Sequence, residues 1–293
     1  MYKEEPEFVT HCPRGHPRKF QFVSLLRKSD HSVTKIPPME DTMNLSQFWK
    51  ENPKAAIAFS GGVDSAYLLY SATQSGAKVK AYYAKTAFQP AFELEDARKI
   101  ASQCQLPLTI IEADILQYPE VAANPPDRCY HCKRQVFSAI LRQAAADGYS
   151  LVIDGTNASD DAGDRPGMKA LRELEVRSPL RECGLTKGDV RILCREADLF
   201  VWNKPSYACL ATRIPAGTPI TAEALQKVER SENLLSSMGF QDFRVRLRGD
   251  TAVLQFTEDQ FPYAWKCREK LRTALSPIFA QVTLDLTPRA ASR

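Results

Sequence analysis

The string Ser60-Gly61-Gly62-Val63-Asp64-Ser65 sets two glycines, two hydroxyls and a carboxylate directly after the apolar run Ala55 to Phe59. Glycine lets a backbone approach a phosphate closely, and the N-terminus of a following helix presents unpaired N–H groups and a partial positive charge. Ser60 and Ser65 add hydroxyl donors; Asp64 either caps the helix or holds a metal ion bound to the phosphates. Such a set suits a polyphosphate, although a plain glycine turn with a Ser/Asp cap uses the same residue types. The loop has neither the Gly-Lys-Ser/Thr of a Walker A sequence nor the glycine spacing of a dinucleotide fold. A second loop, Asp154-Gly155-Thr156-Asn157, follows a later apolar run, at the strand end where ligands of open α/β sheets gather. Gly155 and Thr156 are expected to complete the nucleotide site.

Cys129 and Cys132 form a C-x-x-C pair in Asn124-Pro-Pro-Asp-Arg-Cys-Tyr-His-Cys-Lys133, read as one turn ahead of a helix starting at Lys133. That helix N-terminus and Arg128, Lys133 and Arg134 are expected to favour thiolates. A third cysteine, Cys209, lies in Lys204-Pro-Ser-Tyr-Ala-Cys-Leu-Ala-Thr-Arg-Ile-Pro215. Three chemistries compete. A structural zinc site needs a fourth ligand, to be found among Cys183, Cys194 and His131. A thiol–disulfide switch needs only the pair. Three thiolates without a fourth suit a 4Fe–4S cluster with one iron left open. Cys12, Cys104, Cys183, Cys194 and Cys267 read individually as packing or surface residues. His11, Cys12 and His16 could bind a metal but are expected to be incidental.

Charge patterns add two weaker signals. Asn157 to Arg181 carries Asp160, Asp161, Asp164, Arg165, Arg172, Arg177 and Arg181, either a solvated face or part of a substrate pocket. Arg244, Arg246 and Arg248 alternate along a strand and so share one side, which repels itself unless an anion sits there or the charges are paired.

Composition excludes more than it assigns. Of the four histidines in 293 residues, three are His11, His16 and His31, leaving His131 for the body of the chain. A hydrolase built on a histidine base has little to work with. A net charge of +4 does not call for a nucleic-acid partner and suits an anionic small substrate. No apolar run approaches the roughly 20 residues of a membrane span, and Met1 to Phe8 lacks the apolar core of a secretory signal. A cytoplasmic protein is expected.

The elements that must position these residues alternate. Strands are expected at 55–59, 79–84, 108–112 and 151–153, with helices at 64–75, 92–103, 133–146 and 187–198. That is the pattern of an α/β parallel sheet covered on both faces. From Thr221 a helix over 222–238 capped by Gly239, strands at 243–247 and 251–256, a helix at 260–275 and a strand at 281–286 make a small α+β domain. The expected division is an N-terminal extension over 1–40, a nucleotide domain with the cysteine site over 41–220, and a C-terminal domain over 221–293.

Taken in order, S-G-G-V-D-S, N-P-P-D-R-C-Y-x-C-K, D-G-T-N and C-L-x-x-R-I-P resemble the LarE family, ATP-dependent sulfur transferases of nickel-pincer nucleotide synthesis. The loop looks like the PP-loop of the ATP pyrophosphatases, whose fold is of the adenine nucleotide alpha hydrolase, Rossmann type. The resemblance implies ATP and Mg²⁺ at Ser60, Gly61, Gly62, Val63, Asp64 and Ser65. It also implies a small nucleotide-like carboxylate, pyridinium biscarboxylic acid mononucleotide, as the substrate to be thiolated. Asp64 and Cys209 take catalytic roles. Sulfur comes from Cys209 itself, left as dehydroalanine, or from a 4Fe–4S cluster on Cys129, Cys132 and Cys209; the three cysteines resemble the cluster type. Arg213, Arg244 and Arg246 are implied to contact substrate, with a phosphate site on Arg244 and Arg246 at a subunit interface and hence a homo-oligomer. Gln89 stands where the family leads one to expect serine. The alternatives are a tRNA thiolase with the same loop and a cluster, and a non-catalytic nucleotide-binding or iron-sensing module.

Overall fold

Short runs of Ala, Ile, Val and Tyr form the strands of the first sheet, as β-branched and aromatic residues do where both faces are covered. The structure, a computed structural model, describes residues 44–160 and 166–291, and its described residues belong to one compact unit. The first half runs α1 (Leu45–Glu51), β1 (Lys54–Ala58), α2 (Val63–Gln74), β2 (Lys78–Lys85), α3 (Ala91–Gln103), β3 (Leu108–Glu112), α4 (Pro119–Ala122), α5 (Arg128–Ala146) and β4 (Val152–Asp154). All four strands pair in parallel in the order β3-β2-β1-β4. The chain leaves β1 on one side toward β2 and returns on the other as β4. The C-terminal end of β1, where Ser60 begins, is therefore the point at which strand order reverses, and open sheets bind ligands there.

Alternation along the strands supplies both cores. Ala55, Ile57, Ala81 and Tyr83 face a cluster built with α1, α2 and α3, and with Leu180, Val190, Cys194, Leu199 and Val201. Three further helices, α6 (Pro166–Glu173), α7 (Pro179–Glu182) and α8 (Lys187–Glu196), follow β4. Ala56, Tyr82 and Val152 face the opposite way, onto Phe137, Ile140 and Ala144 of α5 and Leu171 of α6.

The second sheet, β5 (Arg244–Arg248), β6 (Thr251–Gln255) and β7 (Gln281–Leu284), lies beside α9 (Ala222–Ser237), α10 (Phe261–Lys266) and α11 (Arg268–Leu275). β5 and β6 form an antiparallel hairpin turning at Gly249, whose φ of +58° favours glycine, and β7 runs parallel to β6. Phe240, Phe243, Val245, Phe256, Leu271 and Leu275 make its own core.

Two expectations are corrected. The helix expected over 260–275 is two, interrupted at Cys267, whose ψ of 5° leaves the helical range. The cysteine helix starts at Arg128 and not Lys133, directly after Pro125-Pro126-Asp127, with Asp127 at the N-cap position but its carboxylate on His131. Cys129 and Cys132 thus lie inside its first turns. The extension over 1–40, with His11, Cys12 and His16, and residues 161–165 lie outside the described residues. Among the described residues, no helix is long and apolar enough to cross a membrane.

Candidate functional site

The phosphate loop is braced from within and from both sides. Ser60 N–H donates to Ser65 Oγ at 3.3 Å, Ser65 Oγ donates to Gly62 O at 3.1 Å, and Gly62 N–H donates to Ser60 Oγ at 3.3 Å. Gly61 has φ +73°, and a Cβ there would sit 3.0 Å from Glu93 O and Ala97 N of α3. A Cβ on Gly155 would stand 2.8 Å from Ser65 N, so the second loop also lies against the first. Val63 turns its side chain into the core and serves the loop through its backbone.

Asp64 is held by partners from far along the chain. Asn157 Nδ2 donates to its Oδ1 at 3.2 Å, and Lys187 Nζ, from the start of α8, donates to Oδ2 at 2.5 Å. Lys187 was not singled out from the sequence; a lysine at a capped helix start carries no signal of its own. Asp154 is buried and accepts from Thr156 Oγ1 at 2.6 Å, Thr156 N–H at 3.2 Å and Ser178 Oγ at 2.7 Å. Both donors of Thr156 are therefore spent on shaping its own loop, which leaves its oxygens to a ligand.

A cavity of about 400 Å³ opens from this loop. Ser60, Asp64, Ser65, Gly155, Thr156 and Asp160 line one part of it, and Cys129, Cys132 and Cys209 another. Asn124 holds the two cysteine segments together: its Nδ2 donates to Pro215 O at 2.8 Å and Thr218 O at 3.1 Å, and its Oδ1 accepts from Arg128 Nη1 at 2.6 Å. Phe88, Val121, Leu210, Ala211 and Ile214 pack beneath, with Cys132 and Cys209 against them. That packing works against a thiolate at Cys132 and Cys209. Burial pushes the Cys132 thiol up to about 12, and the opposing pull of Arg128 and Lys133 is smaller. Burial likewise raises Cys209 against the pull of Arg128.

As a donor set, three thiols on one cavity fit an iron–sulfur cluster. His131 turns to Asp127 at 3.2 Å, and Cys194 is buried, donating to Val63 O at 3.4 Å, so neither serves as the fourth ligand that zinc would need. Among the described residues, however, no three His, Cys, Asp or Glu side chains stand close enough together to hold a metal ion.

The arginines do something other than expected. Arg213 is 1% exposed; its Nε and Nη2 donate to Glu232 at 2.8 and 3.0 Å and its Nη1 to Ala208 O at 2.8 Å. Arg244 is also buried and donates to Phe243 O at 2.6 Å and Ser206 O at 2.9 Å, while Arg246 donates to Gln255 Oε1 at 2.9 Å and to Thr212 O. None of the three lines the cavity. Their repulsion is relieved by carbonyls and by Glu232, and together they fix the 206–213 segment that carries Cys209. In the charged stretch, Asp160 lines the cavity, whereas Arg177 pairs with Glu182 at 2.5 Å. Gln89 also lines it, accepting from Thr86 Oγ1 at 2.6 Å.

Comparison with known proteins agrees with this geometry. Residues 54–123 match the family described as Queuosine biosynthesis protein QueC. An uncharacterized protein of Synechocystis sp. is 36% identical over 83% of this chain and 92% of its own length. The pyridinium-3,5-bisthiocarboxylic acid mononucleotide synthase of Lactiplantibacillus plantarum is 31% identical over 81% of this chain and 87% of its own. A tRNA-specific 2-thiouridylase of Desulfosudis oleivorans is 26% identical over 40% of this chain and 36% of its own. A likeness that spans nearly both full lengths, on a PP-loop sheet with cysteines at the loop's own cavity, places the chain in the LarE family of ATP-dependent sulfur transferases.

Proposed function

We propose that this protein adenylates the carboxylates of pyridinium-3,5-biscarboxylic acid mononucleotide and converts them to thiocarboxylates for nickel-pincer cofactor synthesis. The observation that carries the reading is the shared cavity, where the phosphate loop and three cysteines meet without a histidine. A substrate carboxylate oxygen attacks the α-phosphorus of ATP; the P–O bond to the β-phosphate breaks and pyrophosphate leaves with the electron pair. Loop N–H groups and the start of α2 receive the phosphates. Asp64 and Asp160 are the carboxylates placed to hold Mg²⁺ there, and Lys187 is the cation at hand for the charge that develops on the leaving group.

Sulfur then replaces AMP at the acyl carbon. Cys129, Cys132 and Cys209 would hold a 4Fe–4S cluster, which when bound supplies a site for exchangeable sulfide. In the alternative, the Cys209 thiol loses its proton, forms the thioester, and loses its Cα proton. The Cβ–S bond then breaks toward sulfur, leaving a thiocarboxylate and dehydroalanine. Three thiols on one cavity favour the cluster, because the sacrificial route uses Cys209 alone. Gly61 and Gly155 keep the loop in place, and the buried arginines hold the Cys209 segment.

The test is anaerobic turnover with ATP, Mg²⁺ and the mononucleotide, read as pyrophosphate and as thiocarboxylate by mass spectrometry. Both are expected, with Cys209 intact after several turnovers. Pyrophosphate that requires tRNA and ignores the mononucleotide would move the protein to tRNA thiolation; none with either would leave a nucleotide-binding module.

A further inference from the structure

Glu93 stands in the first turn of α3, where the helix backbone meets Gly61. Its side chain lines the cavity between the phosphate loop and Cys209. No hydrogen bond or ion pair to its carboxyl forms among the described residues. The nearest cations are engaged elsewhere: Lys204 with Asp96 at 2.5 Å, Arg213 with Glu232 at 2.8 Å. Tyr83 lines the same cavity, is 1% exposed, and its hydroxyl has no hydrogen-bond partner. The two groups feel each other electrostatically. Leaving a phenol unpaired away from water is costly, so the orphaned Tyr83 hydroxyl, beside the unpaired and half-buried Glu93 carboxyl at the cavity wall, points to a ligand that supplies the missing partner.

The partner's chemistry follows from the lining. An anion would be repelled by Glu93. On its side of the sheet the cavity presents the ring of Tyr83, with Phe88 beyond; Tyr82 and Phe137 line it from the opposite face, and Arg128, over the Phe88 ring, and Lys133 supply its cations near the cysteines. A carboxylate beside the Tyr83 ring suits a flat, delocalised organic cation. An N-substituted pyridinium is such a cation, and its charge cannot be lost to a base.

We propose that Glu93, with Tyr83 beside it, is the specificity-determining residue that recognises the fixed positive charge of the substrate's pyridinium ring. This rests on the functional reading above and names the part of the substrate that the cavity selects. The protonation of the empty site agrees with it. Burial pushes Glu93 up to about 7, Lys204 and Arg213 pull it down, and Asp96 pushes it up. With Tyr83 un-ionised, the empty site near neutral pH is partly protonated, and an arriving pyridinium drives the proton off to solvent. An uncharged aromatic dicarboxylate gains nothing from the same group.

Two probes of the same outline separate ring charge from shape: N-methylpyridinium-3,5-dicarboxylate and benzene-1,3-dicarboxylate. Calorimetry on the full chain, loaded with Mg²⁺ and a non-hydrolysable ATP analogue, should show the pyridinium bound about tenfold or more tightly, as expected for a fixed charge beside a carboxylate. Glu93→Gln should erase the preference and leave the affinity for the ATP analogue unchanged. A second measurement needs no variant: titration of wild type in two buffers of different ionisation enthalpy should reveal proton release with the pyridinium and none with the benzene probe. Equal affinity for the two probes in wild type, or an undiminished preference in Glu93→Gln, overturns the inference. If wild type binds neither probe and makes no pyrophosphate from the mononucleotide, the functional reading itself falls. If it makes pyrophosphate while binding both probes equally, only the role of Glu93 falls.

Discussion

The phosphate loop and the Cys209 segment face one cavity but are built by opposite means. The loop is contiguous, six residues whose hydroxyls and amides satisfy one another, with glycines wherever another backbone comes close. The Cys209 segment has less internal order, one short turn over Leu210–Arg213 and the bonds that Arg213 and Thr212 make back to Ala208 O and Cys209 O. From outside it is held by Arg244 and Arg246, which donate to its carbonyls, and by Glu232, which binds its own Arg213. One half of the site is thus specified by a motif, the other largely by buried charge shared among its own turn, α9 and β5. A motif can be read from a string of letters. A buried ion pair is visible only once both partners are in place.

The contrast predicts where damage spreads. The largest effect should come from Arg213→Ala, which leaves Glu232 buried without its cation and should cost about 3–5 kcal/mol of stability. Urea unfolding measures it, and a loss below about 1 kcal/mol would make the arginine a ligand-facing group after all. Asp64→Ala should leave unfolding nearly unchanged yet slow pyrophosphate release about a hundredfold or more; wild-type turnover would dismiss the loop assignment. Gly155→Ala should cost about 1–3 kcal/mol, since its methyl meets the Ser65 backbone, and ATP affinity should fall with it.

Smaller still is a pH effect. Because burial raises Glu93 toward about 7, its contribution to stability is complete below the ordinary glutamate value of 4.5 and fades as pH climbs to about 7. Glu93→Gln should remove that slope, on the order of 1 kcal/mol, from melts compared between about pH 4.5 and 8. The least effect on the ATP half should come from Cys129→Ala and Cys132→Ala: iron, colour and sulfur transfer lost together, pyrophosphate release retained. Iron analysis beside a pyrophosphate assay checks both, and joint loss would mean the two halves are one cooperative device.

Much of this was legible before the fold. Strand–helix alternation located β1 to β4, and the end of β1 is where S-G-G-V-D-S had to lie. The cysteines were legible as types but not as protonation states, because a helix start and nearby cations point toward thiolate while packing under Cys132 and Cys209 points the other way and prevails. Alternation at Arg244, Arg246 and Arg248 told which side they share, but not depth; only Arg248 of the three is exposed. Lys187 and Glu232 went unnoticed because their partners lie 123 and 19 residues away. Glu93 was one acidic residue among several on an amphipathic helix.

The backbone contacts at Gly61 and Gly155 have a consequence in time as well as in space. A loop wedged between α3 and the loop after β4 has little freedom left to lose when a nucleotide arrives. ATP then meets a finished seat, and the ordering penalty that flexible phosphate loops pay at the moment of capture is already settled in folding. Backbone order parameters from Gly62 to Ser65 should accordingly be high in the nucleotide-free protein and change little when ATP binds.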